Sequence, residues 1–237
     1  MLSNSYYRAR IARKLNSRRG ELRLRYVFAP NLKAIYLCNP KVAGQTIIHS
    51  LVSADNPTIM DQYNNLNTKE ARAATSFERN PSAVWAAIND PSFFKFAFVR
   101  NPYTRCLSFY KERIFADAPL GYRVSLGLPK QGEVSFSDFL VAVSQQKPND
   151  MNRHWRPQSE LVSSSLKLDF IGKFENLVED ICSVFEKLGI EEGKLLSHKG
   201  HTSGVGTKIS NDLTEREISL INDIYAKDFT RFDYEML

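Results

Sequence analysis

No apolar run in the 237-residue sequence approaches the roughly 18–20 residues that a bilayer-spanning helix needs. Positions 1–25 hold no apolar core of the secretory kind, so the expected compartment is the cytoplasm. Cysteine is scarce: Cys38, Cys106 and Cys182 are odd in number, far apart and nowhere spaced as C-x-x-C. That argues against a disulfide framework and for buried structural thiols. Ten prolines and eleven glycines are too few for a fibrous or low-complexity chain, and no internal repeat is present. There is no Gly-Lys-Ser/Thr of the Walker type, so a magnesium-dependent phosphotransferase would lack its phosphate cradle. No cluster with metal-ligand spacing occurs, and no metal is expected.

What remains is an ordinary globular composition, 43% hydrophobic and 24% charged, with a length that suits one α/β domain. The net charge of +6 is unevenly placed. Nine of the 32 basic residues lie in the first 33 positions against one acid, Glu21, so that segment carries +8 and the rest of the chain −2. Residues 1–28 therefore read as a basic, partly helical arm ahead of a domain over 29–237, with Ile11, Leu15 and Leu22 on one face. Such an arm fits peripheral contact with anionic lipid or another polyanion, or a helix packed on its own domain with a solvated basic face. The core has no recognisable nucleic-acid motif, and no specific nucleic-acid partner is expected.

Along the chain, Lys33–Cys38 is a dense apolar run of the kind buried on both faces of a sheet, stopped by Asn39-Pro40. Gly44 then marks a turn, and a helix begins near Thr46. Residues 81–89 read as a helix, Phe94–Val99 repeats the strand pattern, and a helix runs through Tyr103–Phe115. Five glycines and prolines across 116–133 predict a long surface loop. Helical periodicity returns at 135–143, a third strand falls at Leu168–Ile171, and Leu177–Leu188 is amphipathic. Thr214 and Glu217 form a capping-box pair before a last helix. Strands alternating with helices predict an α/β fold, a central parallel sheet flanked by helices.

Two strand-ending segments carry chemistry. In Pro40-Lys41-Val42-Ala43-Gly44-Gln45-Thr46 a strand, a small-residue turn and a helix start would present backbone N–H groups to an anion, with Lys41 adding a point charge. In Arg100-Asn101-Pro102-Tyr103-Thr104-Arg105-Cys106-Leu107-Ser108-Phe109-Tyr110, an arginine ends a buried strand, and Arg105 and Ser108 share a helix face at i and i+3. An arginine fork with a hydroxyl suits a terminal phosphate, and a strand-end arginine can equally cap a structural carboxylate.

These segments resemble the 5′-phosphosulfate loop and the 3′-phosphate motif of the sulfotransferase superfamily, in the same order. His154-Trp155-Arg156-Pro157-Gln158, Phe170–Leu177 with Glu179 and Asp180, and Tyr225–Tyr234 are similar to stretches of the Golgi-type carbohydrate sulfotransferases and their soluble bacterial relatives. The resemblance departs at Gln45, where the family usually has a small hydroxyl residue, leaving Thr46 to supply the hydroxyl. It implies a P-loop-like strand-loop-helix and O-sulfation from 3′-phosphoadenosine-5′-phosphosulfate to a hydroxyl acceptor, with a carbohydrate or glycoconjugate expected. By the same resemblance Lys41, Val42, Ala43, Gly44, Gln45 and Thr46 hold the 5′-phosphosulfate, Lys41 stabilises the leaving phosphate, and Arg100 with Ser108 holds the 3′-phosphate. His154 is the first candidate for the base, against an orienting role beside Trp155, with Glu160 and Asp150 behind it. The Gly-rich basic stretch 199–208, with Lys199 and Lys208, is a candidate donor-wrapping loop or a mobile linker. The competing reading is a non-catalytic nucleotide- or polyanion-binding relative of the same fold.

Overall fold

A computed structural model of the chain describes residues 3–17, 21–22, 26–62, 80–115, 120–190 and 213–237. Its elements are, in order, α1 (Asn4–Lys14), β1 (Tyr26–Ala29), β2 (Ala34–Leu37), α2 (Gly44–Asp55), α3 (Pro57–Gln62), α4 (Pro81–Asn89), β3 (Phe94–Val99) and α5 (Pro102–Tyr110). A π-helical turn, Lys111–Phe115, extends α5 and precedes α6 (Gly121–Ser125) and α7 (Phe136–Ser144). The chain continues through α8 (Gln158–Leu161), β4 (Phe170–Lys173), α9 (Leu177–Lys187) and α10 (Glu215–Phe232). No helix among the described residues is long and apolar enough to cross a membrane.

The elements divide into two compact units, Met1–Val99 with Leu161–Gly200, and Arg100–Glu160 with His201–Leu237. The first holds the four-stranded sheet, in the order β1-β2-β3-β4. β2, β3 and β4 are parallel, as their apolar runs predict, and β1 adds to β2 in antiparallel fashion, pairing Tyr26 with Leu37 and Ala29 with Ala34. The expected central parallel sheet is thus present, and β1 adds an antiparallel edge to it. Residues of alternate parity face opposite sides of a strand. One side carries Val27, Ala34, Tyr36, Phe96 and Phe98 into a core completed by Ile47, Ile48, Leu51 and Val52 of α2 and by Ile181, Val184 and Phe185 of α9. A ladder of rings runs across it, Tyr36 to Phe96 at 5.2 Å, Phe96 to Phe98 at 6.4 Å and Phe98 to Phe170 at 6.3 Å. Ile35, Leu37, Ala97 and Val99 on the other side are buried as well. Burying each such large apolar side chain contributes roughly 1.5–3 kcal/mol.

The apolar face foreseen in the basic N-terminal segment is present: Ile11, Leu15 and Leu22 are all buried. α1 packs against α4, where the Arg10 guanidinium lies 4.7 Å from the centre of the Trp85 ring. The Ser163 hydroxyl donates to the carbonyl of Lys14 at the helix end.

The second unit is built around α5, α7 and α10. Tyr103, Cys106, Phe109 and Tyr110 pack with Phe136, Phe139 and Val143, and with Ile221, Tyr225 and Phe229. α7 and α10 both begin with capping boxes, Ser135 with Asp138 and Thr214 with Glu217, which satisfy the first-turn N–H groups reciprocally. The loop expected over 116–133 is not wholly irregular: it contains α6, whose Arg123 donates to the carbonyls of Ile114 and Gly132. Those bonds give a glycine- and proline-rich stretch a fixed turn of helix that local composition does not announce.

Candidate active site

The loop between β2 and α2 starts from a buried anchor. Asn39 follows the strand, and its side-chain amide donates to the carbonyl of Phe98 at 3.1 Å, tying the loop to the end of β3. Val42 is fully buried in the sheet core, so the loop is pinned at its middle as well. On either side of Val42 the backbone turns left-handed, at Lys41 (φ 71°) and at Ala43 (φ 57°). Left-handed backbone costs a non-glycine residue roughly 1–2 kcal/mol, and such strain concentrates at functional sites.

This corrects the expected role of Gly44. It is the first residue of α2 with an ordinary φ, and the turn is made by Lys41 and Ala43. A Cβ added at Gly44 would sit 3.7 Å from the Tyr36 hydroxyl and 3.8 Å from the Asn39 carbonyl oxygen, so the protein itself does not crowd it. Ala43 is the N-cap of α2 and has no side-chain oxygen with which to cap it. The N–H groups of the first turn, around Gly44, Gln45 and Thr46, are thus arranged as a helix N-terminus whose partial positive charge favours an anion. Left-handed residues beside right-handed ones give the concave run of N–H groups that binds phosphate-like oxygens.

In the second unit Arg100 is the residue directly after β3, and it is 4% exposed. Its Nε donates to the Thr104 hydroxyl at 3.0 Å, one turn along. Ser108, on α5, is 1% exposed. Arg105 behaves differently from the shared-face reading of the sequence. It donates to the carbonyl of Arg156 at 3.1 Å and to that of Arg153 at 3.3 Å, so its fork holds main chain. Burial pushes its pKa down, and neighbouring Tyr225, Asp228 and Cys106 oppose that. Burial likewise lifts the Cys106 thiol to about 12 and the Tyr225 phenol well above its ordinary value.

Residues 151–157, which include His154, form an irregular stretch held by side chains. Besides Arg105, the Tyr225 hydroxyl donates to the Trp155 carbonyl at 2.8 Å, and Arg156 turns back on the Met151 carbonyl at 2.7 Å. The Trp155 indole N–H donates to Gln146 at 2.9 Å. The His154 ring stacks on Phe109, 5.5 Å away at 29°, and meets Tyr122 edge-on at 5.6 Å. Of the alternatives, Glu160 pairs with Lys227 at 3.7 Å, and Asp150 lies on an exposed turn. His49 is buried in α2. The basic stretch 199–208, which contains His201, lies with His198 outside the described residues. Among those residues no group of three or more His, Cys, Asp or Glu side chains is placed to hold a metal ion.

Gln158, Tyr225 and Asp228 fall within the resembling stretches, and no task for them is legible in the sequence. The structure gives them one, holding the main chain of this segment and of Arg100.

The sequence profile of the Sulfotransferase family matches residues 24–235. Among curated proteins, carbohydrate sulfotransferase 14 of Mus musculus is 34% identical over 106 residues, covering 40% of this chain and 28% of that protein. Carbohydrate sulfotransferase 9 of Homo sapiens is 29% identical over 167 residues, covering 60% and 38%. Carbohydrate sulfotransferase 11 of Mus musculus is 25% identical over 172 residues, covering 61% and 48%. The chain thus spans less than half the length of each of these relatives. No solved structure matches.

Proposed function

Because the chain belongs to the sulfotransferase family, with the match covering residues 24–235, we propose that it transfers a sulfuryl group from 3′-phosphoadenosine-5′-phosphosulfate to a carbohydrate hydroxyl. The observation that carries this reading is the loop from Pro40 to Thr46, with left-handed backbone at Lys41 and Ala43 opening onto the start of α2. That is a phosphate-type cradle built without a Walker lysine, and it lies inside the matched region. The carbohydrate acceptor is inferred from the names of the relatives.

The donor, when bound, supplies an activated sulfuryl group on a phosphate leaving group. The chain's own part is positioning and electrostatics. The amides of Val42, Ala43, Gly44, Gln45 and Thr46 would hold the phosphosulfate oxygens, with the Thr46 hydroxyl as a further donor. Lys41 would offset the charge that develops on the leaving phosphate. Arg100 and Ser108 would bind the 3′-phosphate and so select this donor over nucleotides that lack it. His154, its ring fixed against Phe109 and Tyr122, would accept the acceptor's hydroxyl proton.

The direct test incubates the protein with sulfur-labelled donor and a panel of monosaccharides, polysaccharides and phenols. Label is expected on a carbohydrate. Label on phenols alone would remove the carbohydrate acceptor. Stabilisation by AMP as large as that by adenosine 3′,5′-bisphosphate would remove the assignment of Arg100 and Ser108.

A further inference from the structure

We propose that Gln158 and Asp228 are positioning residues for Arg100, forming a two-step relay from the last helix to the arginine at the end of β3. The functional consequence rests on the donor reading above; the relay itself is a matter of geometry.

β3 ends at Val99, and with it the strand ladder. The next residue, Arg100, is buried, so its N–H and C=O need partners that water cannot supply. One side chain supplies both. The Arg100 N–H donates to Gln158 Oε1 at 2.9 Å, and Gln158 Nε2 donates to the Arg100 carbonyl at 2.7 Å. The primary amide thus reproduces the two-way pairing that a neighbouring strand residue would have made. Gln158 is itself fully buried and is fixed from behind. Its N–H donates to Asp228 Oδ2 at 2.7 Å, and the N–H of Ser159 donates to Asp228 Oδ1 at 2.7 Å. A carboxylate that accepts from two adjacent amides with its two oxygens allows one orientation of the segment and no other. On the next peptide, Arg231 donates to the Ser159 carbonyl at 2.7 Å.

Neither residue touches the Arg100 guanidinium through any of these bonds. Gln158 fixes the main chain at one end of the side chain, and Thr104 fixes Nε near the other. An arginine fork held at both ends has little rotamer freedom left to lose when it meets a phosphate. The relay therefore pre-orders the selecting residue, and it explains why a buried glutamine and a buried aspartate, far apart in sequence, accompany the arginine.

The test compares wild type with Gln158→Leu, which keeps bulk and removes both amide contacts, and Asp228→Asn, which keeps shape and turns one acceptor into a donor facing an N–H. Hydrogen exchange at the Arg100 amide is the first readout; the second is the ratio of the AMP and adenosine 3′,5′-bisphosphate dissociation constants. Each variant is expected to speed Arg100 exchange and to cut the preference for the 3′-phosphate about tenfold, the size of one net hydrogen bond. In an Arg100→Ala background the same substitutions should leave the ratio unchanged. Unchanged exchange at Arg100 in both variants, an intact ratio, or effects that add to Arg100→Ala would overturn the relay. Should Gln158→Leu fail to fold, the near-isosteric Asp228→Asn decides. If wild type shows no preference for the 3′-phosphate, the donor reading fails, and the exchange measurement still decides whether the relay holds Arg100.

Discussion

Arg100 and Arg105 stand five positions apart in one motif, and the structure assigns them different work, which a single substitution can test. Arg105→Met keeps an unbranched buried side chain and removes the guanidinium that holds the carbonyls of Arg153 and Arg156. A hydrogen bond from a charged donor contributes about 1.5–3 kcal/mol, and leaving a buried carbonyl without its donor costs about 1–3 kcal/mol. Both bonds are at the long end of the normal range, which favours the lower figures. Removing a cation whose pKa burial has already depressed also returns part of its desolvation cost. The balance is a loss of about 3 kcal/mol. For a chain of this size about 2–4 °C of melting temperature corresponds to each kcal/mol, so the variant should melt about 6–12 °C lower. Thermal melts of the ligand-free protein, with limited proteolysis at 151–160 as a local readout, are the assay. The reasoning is refuted if Arg105→Met melts within about 3 °C of wild type. That result, joined to a lost response to adenosine 3′,5′-bisphosphate, would return Arg105 to phosphate binding.

Three further outcomes follow from local geometry. A Cβ at Gly172 of β4 would lie 2.4 Å from Phe98 Cε1, and the Phe98 ring is fully buried, so Gly172→Ala should destabilise by about 1–3 kcal/mol in chemical denaturation. Phe98→Leu should recover part of that loss, and additive effects would show that the two do not collide. Ala43 is left-handed, so Ala43→Gly should raise the melting temperature of the ligand-free protein by an amount equivalent to about 1 kcal/mol, and Ala43→Val should lower it. The Cys106 thiol, lifted from an ordinary 9.0 to about 12, should resist iodoacetamide at pH 8 until the protein unfolds. Its raised value favours the neutral thiol in the folded state, so this contribution is whole below pH 9.0 and is lost as pH rises toward about 12. Alkaline melts of Cys106→Ala should show a flatter decline over that window, and an unchanged slope would reject the assignment.

The parts of the fold that were legible in the sequence are those fixed by local chemistry. Phe94–Val99 is a strand because its run, Lys95 apart, is apolar and ends at a proline-bearing turn. Pro81 opens α4 at a position where its missing N–H costs nothing, and Thr214 with Glu217 caps α10 as the pattern requires. β1 is not distinguishable from the basic arm in sequence because four residues carry no period, and its strand character comes from pairing with β2. At the phosphate loop the sequence points to Gly44 for the turn, because glycine is the residue that turns most cheaply. The chain instead holds Lys41 and Ala43 left-handed, with Val42 between them buried in the core. Strain of that kind is enforced by tertiary anchors, and propensity cannot report it.

The division of labour between the motif arginines was illegible for a related reason. Helical spacing says which residues share a face, here Arg105 and Ser108, and says nothing of what that face meets. Every residue of α5 is buried, so this helix has no outward face, and an arginine on it must satisfy its donors inside the protein. Buried carbonyls without a ladder partner are supplied by irregular chain, here residues 151–156, and the same segment needs acceptors for its own N–H groups at 158 and 159. Arg105, Tyr225, Asp228 and Arg231 answer these demands from two helices. The motif around His154 and the motif near the C-terminal helix are therefore two sides of one hydrogen-bond account. A substitution in either should be felt first in the other, before it is felt in any ligand.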